Sequence, residues 1–402
     1  PRIVQPAIIV SKERQLRARG IVEELVGITE GARGLRPRGA FRTARVLWNM
    51  SYYLGPEGTF TEEALRTQED LAGARLVAMS AIGDVLVAEH AERHEHEVDV
   101  AVLLPAPIDE GAVRGAVEGI ELDDFCLGDT GSMFGHSPEP VLRTLASQAC
   151  RGFTYMLPTA EAYAVGALLE ERFGLPHWQV ATTASDANRF ALRVARAVTG
   201  RPNVLVINGC YHGAVDETYV ELHDGVARNR PGLIGQAVDL AAHSRVVEFN
   251  DLAALEVALS DRSVAVVLAE PVMTNCCMVL PQPGYHAALR EITRRTGTLL
   301  LIDETHTIST GVRGYTGAHG LEPDFFVLGK PIAGGTPASV WGFTSEVAAR
   351  WDEVRRTKAS GHSGLGTTLS ANALAMALMR VTLEEVMTEA SYQHMEQQAA
   401  RL

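Results

Sequence analysis

The chain has 402 residues, 46% of them apolar and 21% charged, with a formal net charge of -13 at neutral pH. That length allows two or three domains and a substantial core. The charge is spread without a long basic block, which argues against nucleic acid as the main partner, and nothing resembles a membrane-surface binder. Five cysteines, Cys126, Cys150, Cys210, Cys276 and Cys277, form no CxxC pair and no His/Cys grouping at metal-ligand spacing, so they read as small buried hydrophobes. The opening "PRIVQPAIIVSKERQLRARG" lacks the basic-then-apolar order of a signal peptide, and no stretch approaches the length of a membrane span. The expectation is a cytoplasmic protein.

Taken in chain order, residues 12 to 28 predict a helix, and residues 29 to 62 turn Gly/Pro/Arg-rich. Two weakly strand-like pieces follow, "ARLVAMS" and "DVAVLL", on either side of "IGDVLVAEHAERHEHE" (residues 82 to 97), which predicts a helix with a polar tail. On such a helix His90 and His94 share a face, and with His96 they raise a metal site. With no further ligand at hand, a solvated face is the expectation and no metal is assigned.

From residue 136 the pattern becomes regular. Helices are predicted at about 139 to 149 and 160 to 173, followed by "WQVATTASDANRFALRVARAVTG" with a helix to about Val198. Then come a strand in "PNVLVINGCYHG", a strand in "SRVVEFND", a helix in "LAALEVALS", a strand in "VAVVLAEPV", a helix in "GYHAALREITRRTG", a strand ending in "LLIDET", and a strand in "PDFFVLG". Apolar strands alternating with helices predict an α/β fold, a mostly parallel sheet covered on both faces, beside a small N-terminal α+β region. Such sheets bind ligands beyond the carboxyl ends of their strands.

Three strand ends carry candidate chemistry. At Thr182, Thr183, Ala184, Ser185 and Asp186 a helix begins, and the amides of Ala184 and Ser185 with the Ser185 hydroxyl suit a phosphate; a plain helix cap is the alternative. Asp303 ends an apolar strand beside Glu304, placed to pair with a cationic ring nitrogen or to make a loop salt bridge. Lys330 leaves the strand Phe325 to Leu328 into a glycine-rich turn, either as an amine for covalent catalysis or as an ordinary surface residue. Together an anion cradle, a carboxylate and an amine are the parts that hold pyridoxal phosphate. Tyr211 in "GCYHG" is placed to cover a ring face or to serve structurally.

At these residues the sequence resembles the class III aminotransferases among the fold-type I pyridoxal phosphate enzymes, in the branch of glutamate-1-semialdehyde aminomutase and the β-amino-acid aminotransferases. The family's SGTEA motif is matched by Thr183 to Ala187, "YHG" lies at Tyr211 to Gly213, and "EPV" leads to Glu270 and Asn275. "DETHT" gives Asp303 as pyridine partner, and "LGKPIAGG" gives Lys330 as the Schiff-base lysine. "GLGTTLSANALAM" places Thr368, with Thr367 beside it, where the family's threonine reaches the phosphate of the neighbouring subunit. The resemblance covers about residues 124 to 375. It implies pyridoxal 5'-phosphate as cofactor, stacking by Tyr211, and a homodimer with shared sites. It also implies that Asp129 to Met133 lie near the substrate or phosphate.

The departures are specific. Ala184 replaces a glycine, which costs little if its backbone is helical. Ser185 keeps a hydroxyl, and Asp186 is one methylene shorter than the usual glutamate. Residues 346 to 402 form a shortened C-terminal helical segment behind a cofactor domain of residues 119 to 345. Residues 1 to 50 read as a helix and linker. In residues 51 to 118, "YYLGPEGTFTEEAL" and "VDVAVLLPAPIDEGAV" resemble a degenerate prephenate dehydratase lobe without its Thr-Arg-Phe element, expected to lack that activity.

The implied reaction is transfer of an amino group from an amino acid to a 2-oxo acid. An aminomutase or racemase uses the same residues, and a catalytically silent scaffold is the non-enzyme alternative. A substrate carboxylate calls for an arginine: Arg313 in "GVRGYTG" is preferred over Arg151 and Arg42. Phe153, Tyr155 and Met156 offer an apolar wall for an aromatic or β-amino acid, or are ordinary core.

Overall fold

The computed structural model describes residues 74–75, 87–90, 98–100, 126–155, 157–359 and 361–401. The chain divides into two compact units, Pro1–Asp129 and Thr130–Leu402. Most of the dehydratase-like segment, the N-terminal helix of residues 12 to 28, Arg42 and Met156 lie outside the described residues. In the first unit β1 (Ala74–Arg75), β2 (Val87–His90) and β3 (Val98–Val100) form an antiparallel sheet in that order, with Ala74 opposite His90 and Val87 opposite Val100. The predicted helix over residues 82 to 97 is therefore wrong at its centre. Pairing on both sides satisfies the backbone of β2, and β-branched Val87 suits a pleated strand better than a helix. With His90 in a strand, the shared helix face with His94 is lost; His94 and His96 lie outside the described residues. Among the described residues no cluster of His, Cys, Asp or Glu is placed to hold a metal ion.

The second unit is built on a seven-stranded sheet. Its strands are β4 (His177–Ala181), β5 (Asn203–Ile207), β8 (Ser244–Val247), β9 (Val264–Ala269), β10 (Leu299–Asp303), β11 (Phe325–Leu328) and β12 (Ser339–Phe343), in the order β4-β12-β11-β10-β9-β5-β8. Pairings from β8 through β11 are parallel, while β12 runs antiparallel to both β11 and β4. The carboxyl ends of β4, β5, β9, β10 and β11 therefore share one edge. A separate hairpin joins β6 (Val220–His223) and β7 (Val226–Asn229). Its turn, Asp224-Gly225, has φ of 52° and 75°, as a two-residue turn matching strand twist requires.

The helices are α1 (Glu139–Ala149), α2 (Ala160–Phe173), α3 (Ala184–Thr199), α4 (Leu252–Leu259), α5 (Tyr285–Thr296), α6 (Gly314–His319), α7 (Ser345–Thr357), α8 (Ala373–Val381) and α9 (Glu389–Ala399). β11 shows how the sheet is covered. All four of its residues are buried, but Phe325 and Val327 belong to the core that includes α3, and Phe326 and Leu328 to the core built by α1, α2 and α8. A strand buried on both faces must be continuously apolar, as "FFVL" is. Among the described residues no helix is long and apolar enough to cross a membrane.

Candidate active site

The carboxyl edge of the sheet gathers the residues singled out in the sequence. Asp303 ends β10 opposite Val327 of β11, and the chain emerging from β11 reaches Lys330 through Gly329. Lys330 has φ of 47°, a left-handed backbone unusual for a residue with a side chain and one that costs about 1–3 kcal/mol. It opens a short 3₁₀ turn, Lys330–Ala333, whose Pro331 occupies a position where no backbone donor is needed. The Lys330 Nζ lies 2.6 Å from His306 Nε2.

Asp303 is buried at 5% exposure and fully engaged. Its Oδ2 accepts from Asn188 Nδ2 at 2.8 Å and meets His212 Nδ1 at 2.9 Å, and its Oδ1 accepts from the Thr305 amide at 3.1 Å. Burial opposes the charge on each partner of the pair, and the pairing outweighs it. His212, favoured in its charged form by the neighbouring Cys210 and by Asp303, is raised to about 10. Asp303, favoured by hydrogen bonds from His212, Thr305 and Asn188, is lowered to about 2. The site thus holds a buried carboxylate whose partners favour its charged form. Glu304, next in sequence, turns into the fold: it accepts from the Thr307 hydroxyl at 2.6 Å and from the amides of Tyr315 and Thr316 at the start of α6. Its burial pushes its pKa up.

The first turn of α3 supplies the anion cradle. Thr183 is the N-cap, its Oγ1 accepting from the Asp186 amide at 3.2 Å while donating to Asp186 Oδ2 at 3.1 Å. Asp186 thus supports the cap through the Thr183 hydroxyl, a contact its shorter side chain reaches. The amides of Ala184 and Ser185 have no acceptor within the helix. Ser185 Oγ accepts from the Ala214 amide at 2.9 Å, joining the cradle to the loop that carries Tyr211 and His212.

Two glycines keep this space open. A Cβ on Gly213, at φ 83°, would fall 2.0 Å from Ser185 Oγ, and one on Gly329 would fall 2.9 Å from the Ala184 Cβ. Ala184 is helical, so its methyl is accommodated, at the condition that residue 329 has no side chain. Asn188 Oδ1 is buried without a protein partner. A helix N-terminus, a buried carboxylate, an amine and close-approaching backbone fit a phosphorylated pyridine aldehyde.

Other candidates fall as follows. Tyr211 is half-buried beside His212. Glu270 and Asn275 are brought together, Asn275 Nδ2 donating to both Glu270 oxygens at 3.1 Å, and the Thr274 amide completes the turn at 3.1 Å. Thr367 Oγ1 lies 3.3 Å from Thr182 Oγ1, setting the "GLGTTL" segment beside the loop before α3, and Thr368 is exposed. Arg313, the preferred clamp, is exposed, and its Nε donates to the Arg172 carbonyl at 3.1 Å, near the end of α2. Arg151 is exposed after α1, where its carbonyl accepts from the Tyr155 hydroxyl. Phe153 and Tyr155 are each 49% exposed, so on this chain they form surface rather than core. Asp129 has φ of 55° and Thr130 of 68°, a strained turn.

The sequence reading did not single out His212, Asn188 or His306. A signal for Lys330 was also overlooked: the chain has just three lysines, Lys12, Lys330 and Lys358, so a lysine placed after a buried strand is not routine surface filling.

Comparison with known proteins places the chain in a family. The family model for aminotransferase class-III matches residues 97–402. A glutamate-1-semialdehyde 2,1-aminomutase of Anaeromyxobacter sp. (strain Fw109-5) is 33% identical over 293 residues, 71% of this chain and 66% of that protein. The crystal structure of a glutamate-1-semialdehyde-aminomutase from Pseudomonas aeruginosa PAO1 aligns with a TM-score of 0.69 and 54% identity, covering 71% of this chain and 64% of that one. A β-phenylalanine aminotransferase from Variovorax paradoxus aligns with a TM-score of 0.58 and 26% identity, covering 67% of this chain and 59% of that one. The chain thus spans slightly less than two thirds of the length of these first two relatives.

Proposed function

We propose, from the premise that this chain belongs to the class III aminotransferase family, that it transfers an amino group between an amino acid and a 2-oxo acid with pyridoxal 5'-phosphate as cofactor. The observation that carries the reading is Lys330, held in a left-handed backbone at the end of β11 on the same sheet edge as the buried Asp303 and the open N-terminus of α3. When bound, the cofactor supplies an electron sink for the pair left behind as a substrate C–H bond breaks.

The chain's own residues do the rest. The amides of Ala184 and Ser185 bind the phosphate through the positive end of α3. Asp303 accepts the hydrogen bond of the ring nitrogen and keeps it protonated, and the His212 and Asn188 contacts hold that carboxylate in place and ionised. Lys330 would hold the cofactor through its amine, and its Nζ, when free, would be the base that takes a proton from the substrate carbon and returns it. Tyr211 covers one ring face. A second copy of the chain completes the site through Thr368, and Arg313 or Arg151 binds a substrate carboxylate in that assembly.

The aminomutase relatives favour a second reading, in which nitrogen leaves one carbon and returns to its neighbour on the same molecule. Incubation with an amino acid, with and without 2-oxoglutarate, separates the two. The transferase reading predicts product only with an acceptor present, and isomerised product without one would support the mutase. A panel of aromatic and β-amino acids then tests the substrate class. No turnover by protein that has taken up cofactor, with or without acceptor, would leave the scaffold reading.

A further inference from the structure

We propose that His306 is the proton partner of Lys330, accepting the proton its ammonium must lose before Nζ can act as a nucleophile or base. The inference rests on the pyridoxal phosphate reading of the site and adds to it a residue to which the family resemblance gives no part.

The contact is built by the fold. β10 ends at Asp303, whose Oδ1 accepts from the Thr305 amide at 3.1 Å and so turns the chain. Glu304, fully buried, receives Thr307 and the start of α6, and its carbonyl accepts from the Ile308 amide at 2.8 Å. His306 is thereby held between two anchored residues and projects to Lys330, whose own backbone is fixed by the turn into Pro331. Both groups are half-buried, with Nζ and Nε2 2.6 Å apart.

At that separation the two nitrogens are within hydrogen-bond distance, so an N–H of one can point at the lone pair of the other. An ammonium has no lone pair, so it can neither attack a carbonyl carbon nor remove a proton from carbon. In the transfer, an N–H bond of Lys330 breaks, its electron pair stays on Nζ, and the proton bonds to Nε2. An imidazole suits the role near neutral pH, where it gains and loses protons readily. The same contact receives the amine each time a substrate frees it.

The test uses the apoprotein and a pair of ligands. Pyridoxal phosphate must react with the Lys330 amine, whereas pyridoxamine phosphate occupies the same cradle without doing so. Wild type, His306→Ala and His306→Gln are compared for the rate at which the visible pyridoxal band appears and for pyridoxamine phosphate affinity. Both variants should take up pyridoxal phosphate at least about tenfold more slowly, since a positioned acid or base contributes that much or more. Pyridoxamine phosphate affinity should stay within about twofold, and added imidazole should restore uptake in His306→Ala. Gln keeps a hydrogen-bond acceptor but takes no proton, so unimpaired uptake by His306→Gln would overturn the proposal. Parallel loss of pyridoxamine phosphate binding would overturn it too, by making His306 part of the pocket wall. Failure of the wild type to take up either ligand would overturn the cofactor reading, and this inference with it.

Discussion

Replacing Asp303 with asparagine probes the site's electrostatics without changing its shape. The amide oxygen can still accept from Asn188 and His212, but its NH₂ then faces the Thr305 amide, now 3.1 Å from Oδ1, and one buried donor loses its acceptor. That costs about 1–3 kcal/mol, and withdrawing the anion from buried His212 brings the total to about 4 kcal/mol. For a chain of this size the apoprotein melting temperature should fall by about 5 °C. The pH dependence is fixed by the two shifts. Asp303, lowered from 3.8 to about 2, contributes stability that is complete above pH 3.8 and lost as pH falls through about 2. His212, raised from 6.5 to about 10, contributes stability that is complete below pH 6.5 and lost as pH rises through about 10. The gap between wild type and variant should be widest from about pH 4 to 6.5 and narrow toward pH 10. Calorimetry of both apoproteins across that range measures it. An unchanged melting temperature, or a gap that widens above pH 7, would refute the pairing.

Three further outcomes follow from the geometry. Gly329→Ala sets a methyl 2.9 Å from the Ala184 Cβ and should destabilise by about 1–3 kcal/mol and weaken cofactor binding. Combining it with Ala184→Gly should recover at least about 0.5 kcal/mol in a denaturation double-mutant cycle. Thr183→Ala removes the cap of α3 and should cost about 1 kcal/mol, with a larger proportional loss in pyridoxamine phosphate affinity than in melting temperature, because the cradle is that helix's first turn. Asp324→Ala strips the partner of Arg290, paired through two contacts of 2.7 and 2.9 Å, and the acceptor of the Leu300 amide at 2.8 Å. Both groups are largely buried, so urea denaturation should show a loss of about 3 kcal/mol.

The parallel part of the fold was legible because each buried strand is a short apolar run and each helix carries its own stops: Gly174 after α2 and Gly200 after α3 are left-handed caps. The antiparallel β12, "SVWGF", was missed because it is wedged between β11 and β4 and runs against both, outside the strand-helix alternation that marked the parallel strands. Gly342 within it looks like a breaker but is required by close packing, since a Cβ there would lie 2.8 Å from the Trp178 ring. The hairpin of β6 and β7 carried its Asp224-Gly225 signal and was overlooked. In the site, Lys330, Asp303 and the α3 cradle were readable because strand ends place them. His212 and Asn188 were not, because their importance lies in converging on one oxygen of Asp303 from separate elements. The neighbouring acids show the same limit: nothing local tells that Asp303 faces the site while Glu304 caps α6.

The central claim is that Lys330 anchors pyridoxal phosphate. Borohydride reduction of the protein after addition of pyridoxal phosphate, followed by peptide mapping, tests it directly, and with just three lysines the assignment is unambiguous. The pyridoxyl group should appear on Lys330 in stoichiometric amount, with no visible band in Lys330→Ala. Label on Lys12 or Lys358 alone, or an unmodified Lys330, would contradict it.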